Sequence, residues 1–265
     1  GCARLELYLQ FDRPLHAAEL TRFRELVRAR GRRRPLAYLL GETGFWSLTL
    51  AVREGILIPS PDTETLVEGV LEAVAALRND DARRPLRALE LGTGSAAIPL
   101  AVCHEVRGVR WVAVERSPAA IGIAAENRRR HAALLAPREN ALHLVRGDRF
   151  EAIAVGFRPH IVAGTPPYIP TATIDRLMPE VSQAEPRLAL DGGRDGGDFQ
   201  RYLLAYAQRS LEPGGHVLLE MGSEQAPRLC AELAQQPGLA LVAVRNDLAG
   251  HPRVLHARHT GAQAA

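Results

Sequence analysis

Lysine is missing: all 33 basic residues are Arg. A coding bias accounts for this more simply than a surface for RNA or a ribosomal partner, because net charge bears on association and not on fold. Cysteine is scarce. Cys2, Cys103 and Cys230 are odd in number and far apart, so they offer neither a disulfide framework nor a metal-ligand spacing. A reducing, cytoplasmic setting is the expectation. Of nine His only His251, His256 and His259 cluster, beside no Cys pair, and no metal site is expected. There is no apolar run of about 18 residues and no signal peptide, so neither membrane insertion nor export is expected. What is present suits a globular protein: 46% hydrophobic and 24% charged residues, a net charge of +3 and a pI near 9.0. The 265 residues allow one large α/β domain with a small appendage and exclude three ordinary domains. Gly1 in place of Met points to a trimmed start.

Residues 1–40 read as helical, with Pro14 suited to a first turn and Leu20, Phe23, Leu26 and Val27 at helical spacing. Arg32-Arg33-Arg34 reads as a solvated face. From Gly44 to Val52 the period becomes two, with Trp46, Leu48, Leu50 and Val52 on one side, which predicts one strand of a hairpin answered by Ile56-Leu57-Ile58. Pro59 and Pro61 end it, and Asp62 or Thr63 can cap a helix carrying Leu66, Val67, Val70, Leu71, Val74 and Leu77. Residues 78–85 look like a linker. Strand candidates follow at Ala88–Leu91, Trp111–Val114, Leu142–Val145, His160–Ala163, His216–Met221, Leu239–Val244 and Val254–Ala257. Helical patterns at roughly 96–106, 118–134, 198–211 and 224–235 alternate with them. This is an α/β pattern, a mostly parallel seven-stranded sheet covered on both faces.

Glu90-Leu91-Gly92-Thr93-Gly94-Ser95-Ala96 lies where the first of these strands turns into a helix. Gly92 and Gly94 permit a tight turn and close approach of a ligand to helix N–H groups. Glu115, ending the second strand, can accept both hydroxyls of a ribose. The loop alone is ambiguous, since Gly92-x-Gly94-x-x-Ala97 also fits a nicotinamide fingerprint. Glu90 separates the two readings: a carboxylate there can pair with the ammonium of S-adenosylmethionine but would repel a pyrophosphate. Gly147-Asp148 follows the third strand, where Asp148 can accept an adenine amine.

The fourth strand runs into Thr165-Pro166-Pro167-Tyr168, which should face the glycine loop, because ligands of open α/β sheets bind beyond the carboxyl ends of the strands. Prolines cannot donate, so the carbonyls before and within the pair stay free to accept. Tyr168 offers a flat ring for a planar group. These features suit a nitrogen whose lone pair is delocalised. Two acceptors on its N–H groups turn the lone pair toward a methyl donor, and no general base or metal is needed to begin. Thr165, Pro166, Pro167 and Tyr168 are therefore the candidate catalytic residues.

Taken together, the chain resembles the HemK/PrmC family of protein-glutamine methyltransferases. The likeness runs through Pro35-Leu36-Ala37-Tyr38-Leu39-Leu40-Gly41, Phe45-Trp46-Ser47-Leu48, Ile58-Pro59-Ser60-Pro61-Asp62-Thr63-Glu64, Glu90–Ser95, Gly147-Asp148, Thr165–Tyr168, and Glu185-Pro186 through Gly192-Gly193 to Asp195-Gly196. It implies a class I (Rossmann-like) methyltransferase domain over residues 62–265, a β-hairpin linker over 43–61, and a helical substrate-gripping region over 1–42, shorter than is usual in the family. It also implies S-adenosylmethionine as cofactor, held by Glu90, Gly92, Thr93, Gly94, Ser95, Ala96, Glu115, Asp148, Arg149 and Thr165. The implied reaction is methylation of the glutamine amide in the Gly-Gly-Gln tripeptide of a peptide-chain release factor.

Three departures stand out. Thr165 replaces the family's Asn, whose amide both accepts from and donates to the substrate amide. Ala96 replaces a third glycine and is expected to add a methyl near the ligand. Ser60 replaces an Arg. Three other readings stay open: a glutamine of a ribosomal protein or an adenine amine as acceptor, a weakly active S-adenosylmethionine-binding homologue, and a nicotinamide oxidoreductase. Adenine methylation would need a base-flipping pocket and a basic groove, and the N-terminal helices match the protein-modifying family better, so direct nucleic-acid binding is not expected.

Overall fold

A computed structural model describes residues 4–261, and Cys2 lies outside them. Helices α1 (Arg4–Leu9), α2 (Ala17–Gly31) and α3 (Leu36–Leu40) come first. Pro14 lies in the link before α2, not in its first turn, and the Glu19 carboxylate accepts the His16 N–H there at 2.9 Å. No residue of α2 is buried, and Phe23 and Val27 stay exposed on it. α3 stops at Gly41, which takes φ +77° and donates its N–H to the Ala37 carbonyl.

The hairpin differs from the sequence expectation. Strands β1 (Glu42–Phe45) and β2 (Leu48–Ala51) pair antiparallel, and residues 56–58 form no strand. The alternation from Gly44 to Val52 spans a reversal, because Trp46 adopts φ +55° and turns the chain back. Hydrogen bonds hold that turn: the Glu64 carboxylate accepts the Trp46 backbone N–H at 2.6 Å and Glu105 accepts its indole N–H at 2.7 Å. Thr63 holds the N-cap position of α4 (Glu64–Leu77), one of the two caps expected, but its side chain makes no capping bond. Ser60 Oγ accepts from Asp62 N and caps a short turn over Pro61–Thr63, while the Thr63 side chain points elsewhere.

The remaining elements are β3 (Leu86–Leu91), α5 (Ala97–Glu105), β4 (Val109–Glu115), α6 (Pro118–Arg130), β5 (Ala141–Arg146), β6 (Ile161–Gly164), α7 (Pro179–Ser182), α8 (Arg187–Leu190), α9 (Asp198–Ser210), β7 (His216–Glu220), α10 (Ala226–Ala234), β8 (Leu239–Asn246) and β9 (Pro252–His259). Seven strands form one sheet in the order β5-β4-β3-β6-β7-β9-β8, parallel except for β9, which runs antiparallel to both neighbours. Successive strand residues serve opposite faces, as a doubly covered sheet requires. Ala88, Ala163 and Leu218 pack toward α4 and α5, whereas Leu89, Val162 and Leu219 join the core with Leu203, Leu204 and Leu229 of α9 and α10. Among the described residues no helix is long and apolar enough to cross a membrane. The order of connection reverses between β3 and β6, so a crevice opens beyond their carboxyl ends.

Candidate active site

The loop after β3 forms one side of that crevice. Gly92 and Gly94 take φ +73° and +55°, and a Cβ at either would meet nothing within 4 Å, so both face open space. The Glu115 carboxylate accepts Gly94 N–H at 2.9 Å and Ser117 N–H at 2.8 Å, tying the end of β4 to the loop. Asn127 of α6, fully buried, donates to the Ser95 and Ala51 carbonyls and accepts from Ala51 N–H. It thereby joins the glycine loop to the hairpin. Ala96 takes φ +64° at the head of α5, but its methyl is wholly buried in the core and does not line the crevice.

Glu90 is 1% exposed and accepts the Thr93 hydroxyl at 2.5 Å. Burial pushes its carboxyl up to about 8, against the Thr93 hydrogen bond, and the neighbouring Glu115 raises it further. At neutral pH this carboxyl is therefore largely protonated, and a cation beside it would favour its ionised form.

Two adjoining hollows occupy the crevice. One, of about 790 Å³, is lined by Gly92, Gly94, Glu115, Asp148, Arg149 and Phe199 among others. Arg149 adopts φ +49°, and its guanidinium lies 5.6 Å from the Phe199 ring centre and 5.0 Å from that of Tyr202. The other, of about 1290 Å³, is lined by Ser60, Thr63, Tyr168, Glu180, Glu185 and Glu220 among others. They share Leu57, Gly92, Gly94, Thr165, Pro166 and Ala189. Thr93 and Ser95 line the second hollow; Glu90 lines neither and sits beneath the loop.

Thr165 reaches Gly92 because β6 ends in a glycine. Gly164 is in register with Leu91, and a Cβ on it would come within 2.8 Å of the Leu91 carbonyl oxygen. Among the described residues no donor satisfies the Thr165 and Pro166 carbonyls or pairs with the Thr165 hydroxyl. Tyr168 donates its hydroxyl to Glu220 Oε1 at 3.2 Å, and its own carbonyl accepts from Gln225 at 2.9 Å. Burial raises the Tyr168 phenol well above its ordinary value, so it stays a donor.

Behind this loop two glycines fit against its backbone. A Cβ on Gly192 would fall 2.7 Å from the Pro167 carbonyl oxygen, and one on Gly196 would fall 2.2 Å from that of Tyr168. Gly196 also takes φ +73°. Gly196→Ala therefore forces the loop to move. We expect about 2–3 kcal/mol of lost stability in a thermal melt and at least a ten-fold fall in methyl transfer; wild-type melting and activity would refute this.

The N-terminal helices reach the second hollow. Arg30 and Arg33 pair with Glu180 at 2.8 and 2.6 Å, Arg34 pairs with Glu54 at 2.9 Å, and Tyr38 donates to the Ile56 carbonyl at 2.5 Å. Arg32, Arg33 and Arg34 are all exposed, as a solvated face requires, and Arg33 and Arg34 make their ion pairs at the surface. Burial pushes the Glu185 carboxyl up to about 7, against the downward pull of the Ile58 backbone.

Sequence reasoning did not single out Asn127, Gly164, Gln225, Glu220 or Thr63's contact with it. Asn127 and Glu220 carried one weak signal, a polar residue on an otherwise apolar face or strand.

Comparison with known proteins bears on the same regions. Residues 1–41 match the family model of the PrmC N-terminal domain. A release factor glutamine methyltransferase of Geobacter sulfurreducens is 40% identical over 227 residues, 85% of this chain and 74% of the relative. One from Caulobacter vibrioides is 35% identical over 255 residues, 96% of this chain and 84% of the relative. Among solved structures, a methyltransferase from Pyrococcus furiosus superposes with a TM-score of 0.58 at 18% identity, covering 88% of this chain and all of that one, which bears on the fold alone. A 16S rRNA methyltransferase of T. thermophilus, solved with AdoMet and guanosine, gives 0.54 at 16% identity, over 82% of this chain and 49% of that one. With identity of this level across most of both sequences, the chain belongs to the family of release factor glutamine methyltransferases.

Proposed function

We propose that this chain transfers a methyl group from S-adenosylmethionine to the side-chain amide nitrogen of a glutamine, that of the Gly-Gly-Gln tripeptide of a peptide-chain release factor. The observation that carries this is the meeting of the two hollows at Thr165-Pro166, beside Gly92 and Gly94. Family membership supports the same reaction.

The cofactor's chemistry fits the first hollow. Glu115 suits a ribose diol and Asp148 an adenine amine, with Arg149 and Phe199 walling that end, while the Glu90 carboxyl, buried beneath the glycine loop, suits an ammonium brought above it. Thr93 and Ser95 shape the glycine loop and Ala96 starts the helix behind it. When bound, S-adenosylmethionine supplies an electrophilic methyl on sulfonium.

The protein's part is orientation. The unsatisfied carbonyls of Thr165 and Pro166 can accept both N–H groups of a carboxamide and turn its lone pair toward the cofactor half. Pro166 and Pro167 stiffen that edge, and the Tyr168 ring forms a flat wall. Alignment of this kind contributes roughly 7–11 kcal/mol to such displacements. The helical region through residue 42 serves to hold the protein substrate and residues 43–61 to link it to the transfer domain, 62–265. Its ion pairs with Glu180 and Glu54 support that placement.

Transfer of labelled methyl from S-adenosylmethionine separates the candidate acceptors. A release factor should be labelled, and the same factor with its tripeptide Gln changed to Ala should not. Label entering a ribosomal-protein pool or DNA instead would refute the assignment.

A further inference from the structure

Two walls of the substrate hollow converge on one carboxylate. Glu220, the last residue of β7, is 3% exposed. Its Oε2 accepts the Thr63 hydroxyl at 2.7 Å, from the turn that leads into α4, and its Oε1 accepts the Tyr168 hydroxyl at 3.2 Å. All three side chains line the hollow that includes Thr165 and Pro166. No step of the transfer described above uses Glu220 or Thr63.

We propose that Glu220 is a positioning residue for the reaction, locking the Tyr168 ring and the Thr63 turn as fixed walls of a slot for the planar carboxamide. This rests on the assignment of the cleft to glutamine methylation. The geometry asks for a group with acceptors only. Two hydroxyl donors meet two oxygens, and an ionised carboxylate satisfies both. A protonated carboxyl, or an amide in its place, uses one arm to donate and leaves one hydroxyl without a proper acceptor. The charges around the site are balanced to let Glu220 ionise near neutrality. Burial pushes it up to about 7; the Thr63 and Tyr168 hydroxyls and Arg253 of β9 pull it down, while Asp62 raises it. Arg253 is itself shared with Asp247 at 2.9 Å and Asp62 at 3.3 Å, so Glu220 does not own that cation. The slot is therefore fully braced above neutrality and loses one brace on acidification.

The test uses the whole chain with a release factor and S-adenosylmethionine, comparing wild type, Glu220→Gln, Tyr168→Phe, their double variant and Thr63→Val. Glu220→Gln should raise the KM for the release factor about ten-fold and leave S-adenosylmethionine affinity within about two-fold, one lost hydrogen bond being of that order. It should also shrink the acid limb near pH 7 in kcat/KM, since Gln mimics the protonated state at every pH, and Glu185, which lines the same hollow and is pushed up to about 7, accounts for the limb that remains. Tyr168→Phe should lose a similar factor, and the double variant should lose no more than the worse single one. A Glu220→Gln enzyme with wild-type KM and an intact limb, or fully additive losses, would overturn the proposal. Should Glu220→Gln fail to fold, Tyr168→Phe and Thr63→Val decide: wild-type KM in both overturns it. A wild-type chain that binds the release factor without methylating it sinks the functional reading alone, and the ratio of dissociation constants still judges Glu220. No binding at all overturns both.

Discussion

Thr165→Asn raises turnover on a Gly-Gly-Gln substrate at least ten-fold. The Thr165 hydroxyl stands at the junction of the two hollows and has no partner among the described residues, so nothing in the protein holds it to another task. A hydroxyl brings one donor on a short arm; a carboxamide brings a separate donor and acceptor further into the slot. With both N–H groups of the glutamine amide on the Thr165 and Pro166 carbonyls, its oxygen still needs a donor, which an Asn amide N–H reaches and the shorter Thr hydroxyl does not. A hydrogen bond left unmade at a buried site costs about 1–3 kcal/mol, which corresponds to roughly one to two powers of ten in rate. The Thr165 and Pro166 carbonyls can accept in either case, so the wild-type chain is expected to retain activity at a lower rate. Single-turnover methyl transfer isolates the chemical step. An unchanged or lower rate in the Asn variant contradicts this account of the slot.

Glu90→Gln should have opposite effects on stability and on cofactor binding. In the folded chain the Glu90 carboxyl sits at about 8, against an ordinary 4.5. A folded value raised above the unfolded one means that the native state binds more protons, so stability falls as pH climbs from about 4.5 through 8. At pH 7 the loss relative to the neutral form is about 2–4 kcal/mol. Glutamine cannot ionise and escapes that loss. The unliganded variant should melt higher than wild type at pH 8, and by a smaller margin at pH 5. The same change removes the partner for the cofactor's ammonium, and S-adenosylmethionine affinity should fall roughly 10- to 100-fold. Thermal melts at the two pH values and a calorimetric titration read both. A variant that melts lower at pH 8 and binds as tightly as wild type would remove Glu90 from the cofactor site.

Much of this arrangement was legible because it is local. The seven strands of the main sheet fall on the apolar runs that predict them, each within a few residues, since a doubly covered sheet writes its burial into short continuous stretches. Gly92, Gly94 and Thr165–Tyr168 were visible because turn chemistry and missing donors belong to the residues themselves. The hairpin was misread because the residue at φ +55° is Trp46, a type with no preference for that conformation, and the alternation continues on both sides of it. Gly164, Gly192 and Gly196 were illegible as spacers because what each must avoid is a carbonyl supplied by a distant segment. Glu220 read as one more residue of the strand from His216 to Met221; its importance lies in two hydroxyls 157 and 52 residues away in sequence. Ala96 was placed beside the ligand by its position in the loop, but its left-handed backbone turns the methyl into the core.

The most direct measurement is a structure of the chain with S-adenosylhomocysteine and a Gly-Gly-Gln peptide bound together. The amino-acid end of the nucleoside should lie against Glu90 and its adenosine between Glu115 and Asp148, with the glutamine carboxamide on the Thr165 and Pro166 carbonyls beside Tyr168. A peptide seated away from Thr165, or a nucleoside outside the hollow of Gly92 and Glu115, would contradict the account.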